Sequence, residues 1–113
     1  MYSFSKTRRL LKKSDYDHVF AQAKKIATSE FVVLYRDNKT DHARLGLAIS
    51  KKMIAKSHDR NRIKRLIREA FRTSKHLPCV DIILLARPGV GKVENSIITT
   101  KLGSAWNKLS ASY

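Results

Sequence analysis

The segment Asp81-Ile82-Ile83-Leu84-Leu85-Ala86-Arg87 constrains the fold of this chain more than any other. Its interior is apolar without alternation, so a strand built from it is a central one, buried on both faces. The chain has 113 residues, enough for one domain and too few for two of ordinary size. The other elements must therefore be arranged around this strand.

They are legible from periodicity and punctuation. Ser14 is placed to cap a helix, with Asp15 and Asp17 in the first turn, where the dipole favours negative charge. Tyr16, Val19, Phe20 and Ala23 then share one apolar face, and Lys24-Lys25 closes the helix at its negative end. Glu30 to Arg36 alternates as a strand, with Phe31, Val33 and Tyr35 on one side and Val32, Leu34 and Arg36 on the other. After the turn-rich residues 37–41, Arg44 to Ser50 reads as a second strand pairing back as a hairpin. Its small Gly46, Ala48 and Ser50 leave room for something to approach. A loop over 51–59 leads to a helix from about Arg60 to Arg72, capped by Ser57 or Asp59. Pro88-Gly89-Val90-Gly91 breaks the chain, and Ile98, Leu102, Ala105, Trp106 and Leu109 mark a last amphipathic helix with Trp106 in the core. The fold class is α/β, an α+β sandwich: a small mixed sheet of about four strands packed with three helices in an αβββαβα-like order. Residues 1–113 are expected to form a single domain, with 1–13 as a basic arm.

Charge points to the kind of partner. Twenty-four Lys and Arg against nine Asp and Glu leave a formal +15. Such a domain repels itself, and a polyanionic partner relieves the repulsion. Residues 44–72 hold ten basic and two acidic residues, a net +8. In the helix 60–72, Ile63, Leu66, Ile67, Ala70 and Phe71 form the packing stripe, while Asn61, Arg65, Arg68 and Arg72 recur on the opposite side beside a ridge of Arg60, Lys64 and Arg68. A face built for solubility alone would mix signs, because like charges at i,i+4 cost roughly 0.2–0.5 kcal/mol a pair. Arg60 and Arg62 also sit at the helix N-terminus, where cations are disfavoured and phosphate is welcome.

Other function classes are poorly served. No apolar run is long enough to span a bilayer, and no membrane partner is expected. Charge rather than an apolar stretch follows Met1 to Lys6, so no secretory signal is expected and a cytoplasmic location is. Cys79 is alone, which leaves no intrachain disulfide and suggests no cysteine-based zinc site. His18, His42, His58 and His76 lack metal-ligand spacing, and Asp15 and Asp17 do not face each other on a helix. No catalytic residue and no protein metal site is expected.

Ser50-Lys51-Lys52 followed by Ser57-His58-Asp59-Arg60-Asn61-Arg62-Ile63-Lys64-Arg65-Leu66-Ile67-Arg68-Glu69 resembles the Arg-Asn-Arg signature of the bacterial ribonuclease P protein component. The resemblance runs over nearly the whole chain, through Arg9-Leu10, Asp15-Tyr16, Val19-Phe20 and the three strand segments. It implies a protein subunit that binds a catalytic RNA and the single-stranded 5′ leader of precursor tRNA. Hydrolytic removal of the leader would use Mg²⁺ held mainly by the RNA, and no obligate protein partner is implied. Carried onto this chain, Lys52, Arg60, Asn61, Arg62, Lys64, Arg65 and Arg68 would contact the catalytic RNA. Tyr16, Phe20, Phe31, Val33 and Tyr35 would line the leader cleft, which suits the way aromatic platforms grip single strands. An unusual left-handed crossover around the central helix is implied by the family alone. Two other readings compete. A structural RNA-binding module matches the charge but not the motif, and a DNA-binding recognition helix lacks a preceding helix-turn-helix partner, because 44–50 reads as strand.

Overall fold

The computed structural model describes residues 8–74 and 77–112. Helix α1 (Lys13–Ala21) is followed by strands β1 (Lys24–Ala27), β2 (Phe31–Asp37) and β3 (Arg44–Ala48). Helix α2 (Ser57–Thr73), strand β4 (Val80–Ala86), a 3-10 turn (Val90–Lys92) and helix α3 (Asn95–Ala111) complete the order. Lys6 and Thr7 of the basic arm, and His76, lie outside the described residues.

The strands form one mixed sheet in the order β1-β2-β4-β3. β4 pairs antiparallel with β2 and parallel with β3, so the expected β2–β3 hairpin does not form. The reason is the apolar run itself. Ile82, Ile83 and Leu84 are fully buried, and an edge position would leave both their backbone groups and one flank in water. The more polar β1 and β3 take the edges instead.

Three more boundaries differ from the sequence pattern. Helix α1 starts at Lys13 with Lys12 as N-cap, and Asp15, not Ser14, reaches back to accept from the Lys12 N–H at 3.3 Å. Lys24 and Lys25 belong to β1, a four-residue edge strand, and do not close the helix. Helix α2 begins at Ser57 with Lys56 as N-cap and no side-chain cap bond, so neither Ser57 nor Asp59 caps it.

The sheet is covered on both sides. Phe31, Val33, Tyr35, Leu45, Ile82 and Leu84 meet α2 and α3, whose Ile63, Ile67, Phe71, Ile98, Leu102 and Leu109 complete the main core. Trp106 lies in this core, its ring edge-on to Phe71 at 6.3 Å. Arg8 covers the same Phe71 ring, 4.8 Å from its centroid, a cation over a π face. On the other face Val19 and Leu10 pack on Ile83, with Tyr16, Ala23, Leu34, Ala48 and Leu85 partly buried around them. The chain before α1 runs along the β3 edge, where the Leu10 N–H donates to the Leu45 carbonyl at 2.9 Å. This contact shields an edge that would otherwise offer unpaired backbone.

Candidate nucleic-acid interface

Helix α2 sends Ile63, Ile67 and Phe71, four residues apart, into the core. The rotation that buries them turns Asn61, Arg65 and Arg68 outward, and all three are exposed. Lys64, half-buried, joins Arg68 at one margin of this face. Arg65 and Arg68 therefore present guanidinium groups on one exposed surface.

Arg60 and Arg62 are held differently. Nη1 of Arg60 donates to the carbonyls of Ile54 (3.0 Å) and Ala55 (2.9 Å). Arg62 donates through Nη1 to the Val93 carbonyl (3.2 Å) and Asn95 Oδ1 (2.5 Å), and through Nη2 to the Gly91 carbonyl (2.6 Å). The sequence pattern assigned both to phosphate because cations beside free N–H groups are unfavourable. Here backbone carbonyls offset that cost. Arg62 works as a clamp between α2 and the segment leading into α3. Replacing it with alanine should lower stability by about 2 kcal/mol, given what charged hydrogen bonds contribute. Arg65→Ala on the exposed face should change stability by less than about 0.5 kcal/mol. Urea denaturation of the two variants makes the comparison, and equal midpoints would remove the clamp.

Lys52 lies off the helix, in the turn that follows β3, and is exposed. It lines a recess of about 410 Å³ together with Lys56, Asp59 and Lys92. Lys92 belongs to the Gly89-Val90-Gly91-Lys92 stretch, which in sequence reads as a plain turn. Its proximity to Lys52 depends on how β4 ends and is invisible in the chain order.

A second cleft, of about 210 Å³, joins α2 to the other side of the molecule. Arg9, Tyr16, Gly46, Leu47, Lys64 and Arg68 line it. The Tyr16 hydroxyl accepts from the Leu47 N–H at 3.2 Å, covering a donor on the β3 edge. Its ring lies against Gly46, where an added Cβ would stand 2.7–2.9 Å from the ring atoms. The small residue on β3 thus makes room for an aromatic ring of the same chain. Tyr16 is partly occupied by structure and partly open to the cleft.

The α1-covered face of the sheet has three rows across its strands. The middle row is Gly46, Ile83 and Leu34, and α1 lies along it through Tyr16 and Val19, with Ala23 just past the helix end. One flanking row, Ala48, Leu85 and Val32, is apolar and only partly covered. Phe20, 48% exposed, stands on α1 beside the sheet-facing stripe, on the side away from Asp15, His18 and Gln22 at 100° per residue. The other flanking row, Arg44, Asp81 and Arg36, is polar. There Arg44 grips Asp81 with two bonds of 2.7 and 2.6 Å, and Asn38 adds a third at 2.9 Å. The bond to Asp81 holds the Arg44 guanidinium above its ordinary pKa.

Three expected cleft residues do not belong to this face. Phe31, Val33 and Tyr35 are 1%, 0% and 5% exposed, inside the core under α2 and α3. The alternation along β2 is as read, but the two faces are exchanged: the larger side chains fill the side covered by two helices. Val32, passed over in the sequence, holds an open position and Leu34 lies partly buried under α1, while Phe20 remains exposed and Tyr16 half-buried. Among the described residues no group of three or more His, Cys, Asp and Glu is placed to hold a metal, and no helix is long and apolar enough to cross a membrane.

Comparison with known proteins matches residues 4–110 to the family model described as Ribonuclease P. The chain is 61% identical over 113 residues to the Ribonuclease P protein component of Legionella pneumophila (strain Corby), covering all of this chain and 98% of the relative. It is 42% identical over 107 residues to that of Haemophilus influenzae (strain PittGG), with 94% and 90% covered. Among solved structures, the Staphylococcus aureus RNase P protein superposes with a TM-score of 0.82 at 33% identity, over 91% of this chain and 94% of that one. The Thermotoga maritima RNase P protein gives 0.79 at 31%, over 88% and 96%.

Proposed function

The chain belongs to the ribonuclease P protein component family, and on that premise we propose that it binds the catalytic RNA and the 5′ leader of precursor tRNA. The observation that carries the reading is the exposed face of α2, where Asn61, Arg65 and Arg68 point away from the core with Lys64 at its margin. Arginine forks match phosphate geometry and keep their charge at all relevant pH values. Lys52, with Lys56 and Lys92 around the neighbouring recess, extends the positive surface past the helix N-terminus. Arg60 keeps donors beyond the one that meets the Ile54 and Ala55 carbonyls, so it contributes at the margin, and Arg62 contributes by holding the framework.

The leader lies across the apolar row of Ala48, Leu85 and Val32, with Phe20 as the stacking surface. Tyr16 closes one end of that face and touches the same cleft as Lys64 and Arg68, which brings leader and catalytic RNA close together. Hydrolysis is the work of the RNA, with Mg²⁺ held mainly on its phosphates; the protein supplies binding and position. Cytoplasm, where precursor tRNA is made, is the compartment this requires.

The deciding experiment is cleavage of a 5′-extended precursor tRNA at low Mg²⁺. Protein alone, a bacterial ribonuclease P RNA alone, and the mixture are compared. Cleavage at the mature 5′ end in the mixture, with little from either component, is expected. No enhancement over RNA alone, with folded protein and a suitable RNA, would favour a structural RNA-binding module. The leader assignment has its own check. Phe20→Ala should weaken holoenzyme affinity for precursor by about 1–3 kcal/mol, the worth of one stacked base, and leave mature tRNA unchanged. Equal losses on both ligands would remove Phe20 from the leader path.

A further inference from the structure

We propose that the recess on the far side of α1 from Phe20 is a second RNA site, which binds a backbone phosphate through Arg36 and Lys39. The proposal rests on the RNA-binding reading above and adds a contact on the flank of the α1-covered face that this reading leaves unused. The recess measures about 720 Å³, larger than either of the two described above. His18, Gln22, Lys24, Arg36, Asp37 and Lys39 line it over a floor that includes Arg44 and Asp81, so that outside the Arg44–Asp81 pair three cations face one carboxylate, Asp37.

Three features suit it to phosphate. First, the floor is electrically settled: Asp81 is 2% exposed and its oxygens already accept from Arg44 and Asn38, so it does not oppose an incoming anion strongly. Second, Arg36 is pre-oriented. Its Nη1 donates to the His18 carbonyl of α1 at 2.6 Å, and a guanidinium has five N–H donors, so one bond aims the fork without exhausting it. Pre-orientation reduces the side-chain entropy lost on binding. Third, the surroundings are concave and polar, with Lys39 exposed on the 38–41 loop and the exposed Gln22 supplying an amide group for a ribose. A concave wall of one dominant sign concentrates the field toward an anion more than scattered surface lysines do.

The phosphate has two possible sources, the upstream end of a long leader or the catalytic RNA. The test uses the full chain, Lys39→Gln, the double variant Arg36→Gln with Lys39→Gln, and a charge-matched control, Lys101→Gln with Lys108→Gln on α3. Affinity for a bacterial ribonuclease P RNA, and holoenzyme affinity for precursors with a short and a long leader, are measured over a range of monovalent salt. The double variant should lose roughly fivefold or more on one of these RNAs, with the log–log salt slope smaller by about 0.7 per lost contact on single-stranded RNA. A loss confined to the long leader identifies the leader as source, and a loss on the catalytic RNA identifies that RNA. Lys39→Gln leaves the Arg36–His18 bond intact, so its smaller loss in the same direction separates contact from a loosened α1. Unchanged affinity and slope in the double variant, or an equal loss in the α3 control, would overturn the site. Should the wild-type protein fail to stimulate cleavage, the ribonuclease P reading fails separately. Binding of a single-stranded RNA oligonucleotide to the same four proteins then decides the recess by the same criteria.

Discussion

Replacing Arg44 with alanine is expected to cost about 3–5 kcal/mol of folding stability, the range found when one partner of a buried ion pair is removed. Asp81, on the strand at the middle of the sheet, would lose the bidentate partner that makes its burial tolerable and keep only Asn38. The reverse change should be milder. Asp81→Ala leaves a guanidinium whose side chain is 24% exposed and can turn toward water, whereas the Asp81 side chain is 3% exposed and has no such exit. Removing both partners should therefore recover part of the Arg44→Ala loss. Urea denaturation of the two single variants and the double one measures the coupling directly. A cost below about 1 kcal/mol for Arg44→Ala would mean that the pair does not hold β3 to β4. Total stabilities of domains are about 5–15 kcal/mol, so the expected loss is a large fraction of what holds the molecule together.

The second large effect is on RNA. Arg65→Ala combined with Arg68→Ala should weaken binding to the catalytic RNA by roughly 2–3 kcal/mol, or some 30- to 150-fold, with little change in folding. Both side chains are exposed, so the loss comes from contacts to the partner and not from the core. Each lost phosphate contact should also flatten the log–log salt dependence, by about 0.9 on a B-DNA-like scale. Filter binding across salt concentrations reads both numbers. Weaker binding with an unchanged slope would argue for a distorted helix surface, and unchanged binding would take the exposed face of α2 out of the interface.

Most of α2 was legible in the chain because two independent signals agree there. Its stripe of Ile63, Ile67 and Phe71 repeats every four residues, and its basic residues fall where that stripe is absent. Strand β4 was equally plain, since a run without alternation has few other uses. β1 was not, because Lys24-Lys25 and a four-residue edge strand carry almost no hydrophobic pattern. The Arg-Asn-Arg motif was visible as charge, but the division of labour within it was not. Arg62 differs from Arg65 only in having the Gly91, Val93 and Asn95 acceptors within reach, a contact across some thirty residues of sequence.

By itself the sequence determined the elements, their amphipathic stripes, the excess of positive charge and the family motif, all of which depend on residues near one another in the chain. The tertiary structure alone decided which side of each stripe met which partner. A strand with period two has two faces, and nothing local says which will be covered by two helices. β2 turned Phe31, Val33 and Tyr35 toward α2 and α3 and left Val32 for the cleft. In the same way β4, and not the neighbouring hairpin partner, entered between β2 and β3, because burying its backbone and both flanks removes more apolar surface from water than any local pairing does.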